Sequence, residues 1–225
     1  MKLYNYKSYE DYVSAQVEAN VRKIENSYVD PNSLGGLVNH LYTEYLLKPK
    51  QIICHGTRRG LEQQYFLDIC KSLGLTTTVI GTEISHTATE YPNTIQWDFH
   101  NVKDEWFNSI DIVYSNSFDH SYKPTECLDT WMSRLSDDGV CVLEYSDICD
   151  NESKVGVTDP FGATLEEYKD FISENYDITD ILTNTGVDDQ GRYIIRGVDA
   201  DDNLNVYNND GQSVWQMNFG FKYQF

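Results

Sequence analysis

Apolar residues recur at helical spacing over residues 8–26, where Tyr12, Val13, Val17, Val21 and Ile24 form one face behind a Ser8 cap with Asp11 three residues on. Pro31 interrupts, a second helix is predicted from about Ser33 to Leu47, and Pro49 stops it. The period then changes. Gln51–Cys54 is a short apolar run leading into the turn His55-Gly56-Thr57-Arg58-Arg59-Gly60, and a helix over 61–73 ends at Gly74. The β-branched run Thr76–Ile80 reads as a strand, as do Ile95–Trp97, Ile110–Tyr114 and Val140–Tyr145. A helix over about Thr125–Leu135, capped by Thr125, separates the last two. Strands alternating with helices at this spacing indicate an α/β fold built on a doubly wound, mostly parallel sheet.

Thr164-Leu-Glu-Glu167 has the form of a capping box and opens a helix to about Asn175. Ile178–Leu182 and Arg192–Val198 flank the turn-rich Asn184–Gly191 and suggest an antiparallel C-terminal hairpin, while Val214–Phe225 reads as a further strand at the sheet edge. Residues 1–48 are therefore expected to form an N-terminal helical cap, and 49–225 an α/β domain with an acidic β extension.

Composition narrows the function classes. Hydrophobic residues make up 40% of the 225 and aromatics 13%, enough for a packed core. With 17 Lys+Arg against 36 Asp+Glu, the net charge of −19 argues against a nucleic-acid partner held by a broad basic surface. No apolar run reaches membrane-spanning length and the N-terminus resembles neither a signal nor a transit peptide, so a soluble cytoplasmic protein without a membrane partner is expected. The cysteines Cys54, Cys70, Cys127, Cys141 and Cys149 are odd in number and include no C-x-x-C pair, as for reduced, mostly buried thiols.

Three elements carry candidate chemistry. A strand running into a glycine-bearing turn and a helix is where α/β sheets bind nucleotides, because the helix start offers free N–H groups and glycine admits close approach. Here Gly56 and Gly60 bound that turn, with Thr57 and Arg58 between them. Glu83 ends the next strand, where a carboxylate can accept from both hydroxyls of a ribose. Asp98 ends the strand after that, placed to accept from an exocyclic amine, with Trp97 or Phe99 available to stack on a base. Each has an ordinary alternative: a plain connection, a solvated surface acid, a capped strand end.

The order of these elements resembles the class I S-adenosylmethionine-dependent methyltransferases over residues 50–147, continuing through Phe107–Asn116 and Leu135–Glu144. The resemblance implies a Rossmann-like fold and S-adenosylmethionine as cofactor. Gly56 and Gly60 would border its methionine part, Glu83 the ribose and Asp98 the adenine amine, with Thr57, Arg58, Phe99 and Ser115 completing the cofactor site. Two departures stand out. Cys54 occupies a position that is usually acidic, and Arg58 replaces a glycine, which requires a different backbone path or a side chain pointing away. Arg58 or Arg59 could meet the cofactor carboxylate or pair with Glu62.

Reacting groups are expected in Ser115–Ser121, at the carboxyl edge of the sheet. Methyl transfer needs an in-line approach, exclusion of water and, for some acceptors, a base. His120 is the candidate base because histidine's ordinary pKa, about 6.5, suits proton removal near neutrality. Asp119 could orient it and Asn116 could hold the acceptor, unless Asp119 and His120 simply cap the next helix. No metal is expected; Asp119, Asn116 and Glu144 or Asp147 form the alternative in which one binds. The sequence thus points to a methyltransferase acting on a small-molecule acceptor. The alternatives are a related nucleotide-dependent transferase or a degenerate methyltransferase fold serving as a binding scaffold. Asp199–Asp210 echoes a calcium loop, but Leu204 stands where such a loop requires glycine, and an acidic turn is expected.

Overall fold

The computed structural model describes residues 1–146, 151–187, 193–197 and 217–222. Five parallel strands form its centre: β2 (Gln51–His55), β3 (Thr78–Glu83), β4 (Thr94–Gln96), β5 (Ile110–Ser115) and β6 (Leu135–Tyr145). They are extended antiparallel by β8 (Asp177–Val187), β9 (Tyr193–Gly197) and β10 (Met217–Lys222), giving the order β4-β3-β2-β5-β6-β10-β8-β9. A separate two-stranded ribbon pairs β1 (Lys2–Leu3) with β7 (Phe161–Gly162).

Alternation along the central strands builds two apolar layers. Ile52, Ile112, Tyr114, Val140 and Val142 face α2 (Pro31–Glu44) and α3 (Leu61–Ser72), meeting Leu34, Leu37, Leu41 and Phe66. The residues of opposite parity, Ile53, Val113, Cys141 and Leu143, face α4 (Pro124–Met132) and α5 (Leu165–Ser173), meeting Leu128, Trp131, Phe171 and Ile172. Burial on both faces explains why these strands are continuous apolar runs. Among the described residues no helix is long and apolar enough to cross a membrane. The four described cysteines are buried free thiols, and Cys149 lies outside the described residues.

Several element boundaries differ from expectation for identifiable reasons. Pro31 does not break the second helix but starts it, since proline's missing N–H costs nothing at the first position, and Asp30 accepts from the Ser33 N–H at 2.8 Å. The same happens at α4, where Pro124 leads and Thr125 sits inside the first turn instead of capping it. The strand expected at Thr76–Ile80 lies further on, at Thr78–Glu83, because Gly81–Glu83 pair with β4. The capping box forms as expected, Thr164 and Glu167 each accepting from the other's backbone N–H.

Two corrections affect architecture. The C-terminal strand is not at the edge: β10 pairs with β6 on one side and β8 on the other, leaving β9 outermost. In α1 (Tyr9–Arg22) the buried face is Tyr12, Gln16, Ala19 and Asn20, while Val21 is exposed. The helix turns its polar side inward because it lies over a polar cleft. The turn expected at Asn184–Gly191 is strand as far as Val187; its remainder, Asp147 and the calcium-like stretch 199–210 lie outside the described residues.

Gly139 sits where β6 returns to β5 after the excursion of residues 136–139, and a Cβ there would stand 2.6 Å from the Ile110 carbonyl oxygen. Backbone cannot swing aside, so Gly139→Ala is expected to lower stability by about 1–3 kcal/mol in urea unfolding.

Candidate functional site

The switch point of the sheet falls between β2 and β5, where the chain leaves the sheet in opposite senses on either side. After β2, Gly56 adopts φ +71°, and its N–H and that of Thr57 both donate to the Thr82 carbonyl at 2.9 and 3.1 Å. A Cβ on Gly56 would lie 2.6 Å from Ser117 Cβ, so glycine is required for the turns after β2 and β5 to meet. Ser117 Oγ then donates to the Gly56 carbonyl at 3.2 Å.

Arg58 takes the left-handed backbone of the glycine it replaces, φ +48°, with its N–H donating to Glu83 Oε2 at 3.0 Å. Its guanidinium donates to the Asn26 carbonyl at 3.0 Å and lies 4.9 Å over the Tyr28 ring. Arg59 pairs with Glu25 at 3.2 Å, so both arginines strap the chain after α1 to the turn, and neither is ion-paired with Glu62. Gly60, at φ +79°, ends the turn and precedes α3, and Thr57 Oγ1 accepts from Gln63.

Two adjoining cavities open here. The smaller, about 50 Å³, lies between the polar face of α1 and Gly56, Glu83, Asp98 and Phe99. Burial pushes the Glu83 carboxyl up, opposed by the Ser85 and Arg58 N–H groups that donate to it. For Asp98 burial acts in the same upward sense, but hydrogen bonds from His100 and from the Tyr9 hydroxyl prevail and hold the carboxyl low. His100 is itself fixed on its other nitrogen by Ser121 Oγ at 2.8 Å. The acid expected to meet an adenine amine is therefore already gripped by α1 through Tyr9.

The larger cavity, about 460 Å³, shares Lys23, Gly56, Arg58, Ser117 and His120 with the smaller one and extends to Glu62, Asn116, Asp119, Glu144 and Asp159. His120 Nδ1 lies 2.8 Å from the Thr158 carbonyl, which can only accept. The proton is therefore on Nδ1 and the lone pair on Nε2, which stands 3.9 Å from Asp119 Oδ1 and 3.8 Å from Asp159 Oδ1. Burial raises the Asp119 carboxyl pKa, partly offset by His120, with the Asp159 charge adding to the rise. Glu62 is pushed up to about 7 by burial, with Glu144 adding to the rise.

Most of the residues singled out in the sequence thus meet: Gly56, Thr57, Arg58, Glu83, Asp98, Phe99, Asn116, Asp119 and His120 all line one cavity or the other. Gly60 and Ser115 line neither. Gly60 takes a left-handed backbone, and Ser115 Oγ donates to the His55 carbonyl and accepts from the Ser117 N–H, bracing the turn. His55 is also outside the site. It is held neutral by burial and by Arg134, which donates to its Nε2 while Thr82 Oγ1 lies 2.7 Å from Nδ1. Sequence reasoning missed Asp159 and the α1 residues Gln16 and Asn20. Asp159 carried no signal, since only the loop before β7 brings it back 39 residues after His120; polar residues on the supposed solvent face of α1 were the signal for the others.

No protein-family model and no curated protein sequence matches the chain. Solved structures share its fold. The plantazolicin methyltransferase BamL, in complex with a triazolic desmethylPZN analog and SAH, is 14% identical over 96% of each chain with a TM-score of 0.66. The plantazolicin methyltransferase BpumL, bound to the same kind of analog and SAH, is 17% identical over 96% of each chain at 0.60. The N-methyltransferase NodS from Bradyrhizobium japonicum WM9, with SAH, is 8% identical over 94% of this chain and 100% of its own, at 0.58.

The raised Glu62 pKa fixes a pH dependence. With an unfolded value of 4.5 and a folded value of about 7, the folded state binds more protons between these limits, so the stability linked to Glu62 is complete below 4.5 and is lost as pH rises toward 7. Glu62→Gln, which mimics the protonated form, is expected to stabilise the protein at pH 8 by up to about 3 kcal/mol and to change little at pH 4.5. Urea unfolding at both pH values checks this.

Proposed function

We propose that this chain, which has the fold of the class I S-adenosylmethionine-dependent methyltransferases, transfers a methyl group from S-adenosylmethionine to a small-molecule acceptor. The observation that carries the reading is the pair of cavities meeting at Gly56, Ser117 and His120 on the switch-point edge of the sheet. In-line transfer needs donor and acceptor on opposite sides of one narrow junction, with water kept out.

In this reading the nucleoside of the cofactor occupies the smaller cleft. Glu83 accepts from the ribose hydroxyls, Asp98 accepts from the adenine amine and Phe99 lies along the base. The methionine portion passes the Gly56–Arg58 turn toward the junction. The cofactor supplies an electrophilic methyl group, and the rest falls to the protein: Asn116 and the acids of the larger cavity hold the acceptor, and His120 Nε2 takes its proton. The Tyr9 hydroxyl of α1 now donates to Asp98 at 2.8 Å, so in this reading the adenine amine takes the place of that donor when the nucleoside binds. Of the 48-residue cap, α1 is the part that covers the cleft. It is held there by the Tyr9 hydrogen bond to Asp98 and by the buried Tyr12 ring packed against Tyr122 and His100.

Calorimetry with SAH and turnover assays test the assignment. Glu83→Gln is expected to weaken SAH binding by about 1–3 kcal/mol, with thermal unfolding measured alongside because Glu83 also accepts from the turn backbone. His120→Asn should leave SAH affinity within a few-fold of wild type and lower kcat by about 10²–10⁴. Undiminished SAH affinity in Glu83→Gln would remove the ribose role, and undiminished kcat in His120→Asn would remove the base.

A further inference from the structure

The acceptor's chemical class can be read from the wall of the larger cavity, and this step rests on the methyltransferase reading above. Asp119 Oδ1, His120 Nε2 and Asp159 Oδ1 line that cavity and lie within 4.8 Å of one another. The Asp119 side chain is only 8% exposed, and among the described residues no hydrogen-bond donor but its own backbone N–H reaches its carboxylate. His120 cannot supply one, because its proton is committed on Nδ1 to the Thr158 carbonyl. A buried carboxylate left in this state is costly unless something cationic or hydrogen-donating completes it. We infer that the acceptor is an amine that enters as its ammonium, with its three N–H groups shared among Asp119, Asp159 and His120 Nε2.

Geometry separates an ammonium from a metal ion. The separations from His120 Nε2 to the two carboxylate oxygens are 3.9 and 3.8 Å. An ammonium nitrogen about 2.8 Å from each acceptor would see neighbouring acceptors about 87° apart, a bend of roughly 10° per hydrogen bond from its tetrahedral directions. A transition-metal ion or magnesium at about 2.1 Å would require about 130° between the same atoms, far from either octahedral or tetrahedral angles.

Charge points the same way. Lys23 Nζ lies 3.8 Å from Asp159 Oδ1, so two carboxylates face one cation and the group keeps one net negative charge. An ammonium neutralises it, a carboxylate acceptor doubles it, and a hydroxyl leaves it unchanged.

The step balances. His120 Nε2 takes one proton from the ammonium, freeing the nitrogen lone pair. That lone pair forms the new N–C bond to the methyl carbon as the C–S bond breaks, its electron pair returning to sulfur as a neutral thioether. The product is the methylated ammonium, and the proton on His120 passes to solvent.

The test uses the full chain saturated with SAH, titrated with phenethylamine, 2-phenylethanol and phenylacetate, and with methylamine as the smallest ammonium. Both amines are expected to bind, phenethylamine about tenfold or more tighter than its alcohol and its carboxylate. Asp119→Asn and the more exposed Asp159→Asn are each expected to erase that preference while SAH still binds. Alcohol or carboxylate matching the amine, no binding by either amine, a preference that survives both substitutions, or Mn²⁺ or Zn²⁺ taking the site ahead of the amines would each overturn the inference. Failure of SAH itself to bind would instead bring down the methyltransferase reading.

Discussion

The close approach of two backbone turns at the centre of the sheet is the constraint from which the site follows. Gly56 can face Ser117 only because it has no Cβ, and its positive φ turns its N–H back to Thr82. That contact brings the end of β2 against the end of β5, so the residues following each strand share one edge. His120 reaches both cavities from there, and Arg58 is aimed at the chain after α1. A side chain at position 56 would separate the turns and with them the two cavities.

The polar burial of α1 follows from that edge being polar. A helix placed over Glu83 and Asp98 must offer hydrogen-bonding groups and not methyls, and Gln16 and Asn20 do so while Val21 is left exposed. Its anchors are the Tyr9 hydrogen bond to Asp98, the Tyr12 ring packed on Tyr122, and the two arginine straps behind it, of which the exposed Arg59–Glu25 pair contributes at most about 1 kcal/mol. By contrast α2 buries Leu34, Leu37, Val38 and Leu41 against the sheet and has no comparable freedom. The N-terminal region therefore divides between a helix that covers a polar cleft and one that is part of the apolar core.

This division explains what could be read from the sequence. The parallel core was legible because its strands are buried on both faces and read as apolar runs. The order of Gly56, Glu83 and Asp98 was legible because a strand end places its last side chain at the sheet edge. The inward face of α1 was not, because periodicity assumes that helices bury apolar residues, and here the nearest surface is charged. Pro31 was read as an interruption, and the helix that Pro124 leads was started at a Thr125 cap, because proline both stops and starts helices and only the preceding residue tells which. The insertion of β10 between β6 and β8 and the return of Asp159 to His120 depend on pairing between distant segments, which no local pattern encodes.

An amine acceptor that enters as its ammonium puts a second cation beside the sulfonium of the cofactor until His120 takes its proton. Until then two like charges share a junction from which water is excluded, where their repulsion is least screened. A site with a negative balance lowers that barrier to assembly, and Glu83, Asp98, Asp119 and Asp159 supply it along both cavities. The chain's net charge of −19 extends the same bias outward by raising the local concentration of cations around the molecule. Transfer removes the positive charge from sulfur and sends a proton to solvent. The spent cofactor thereby loses its attraction to the acidic site at the moment it has to leave, so one charge pattern serves both binding and release.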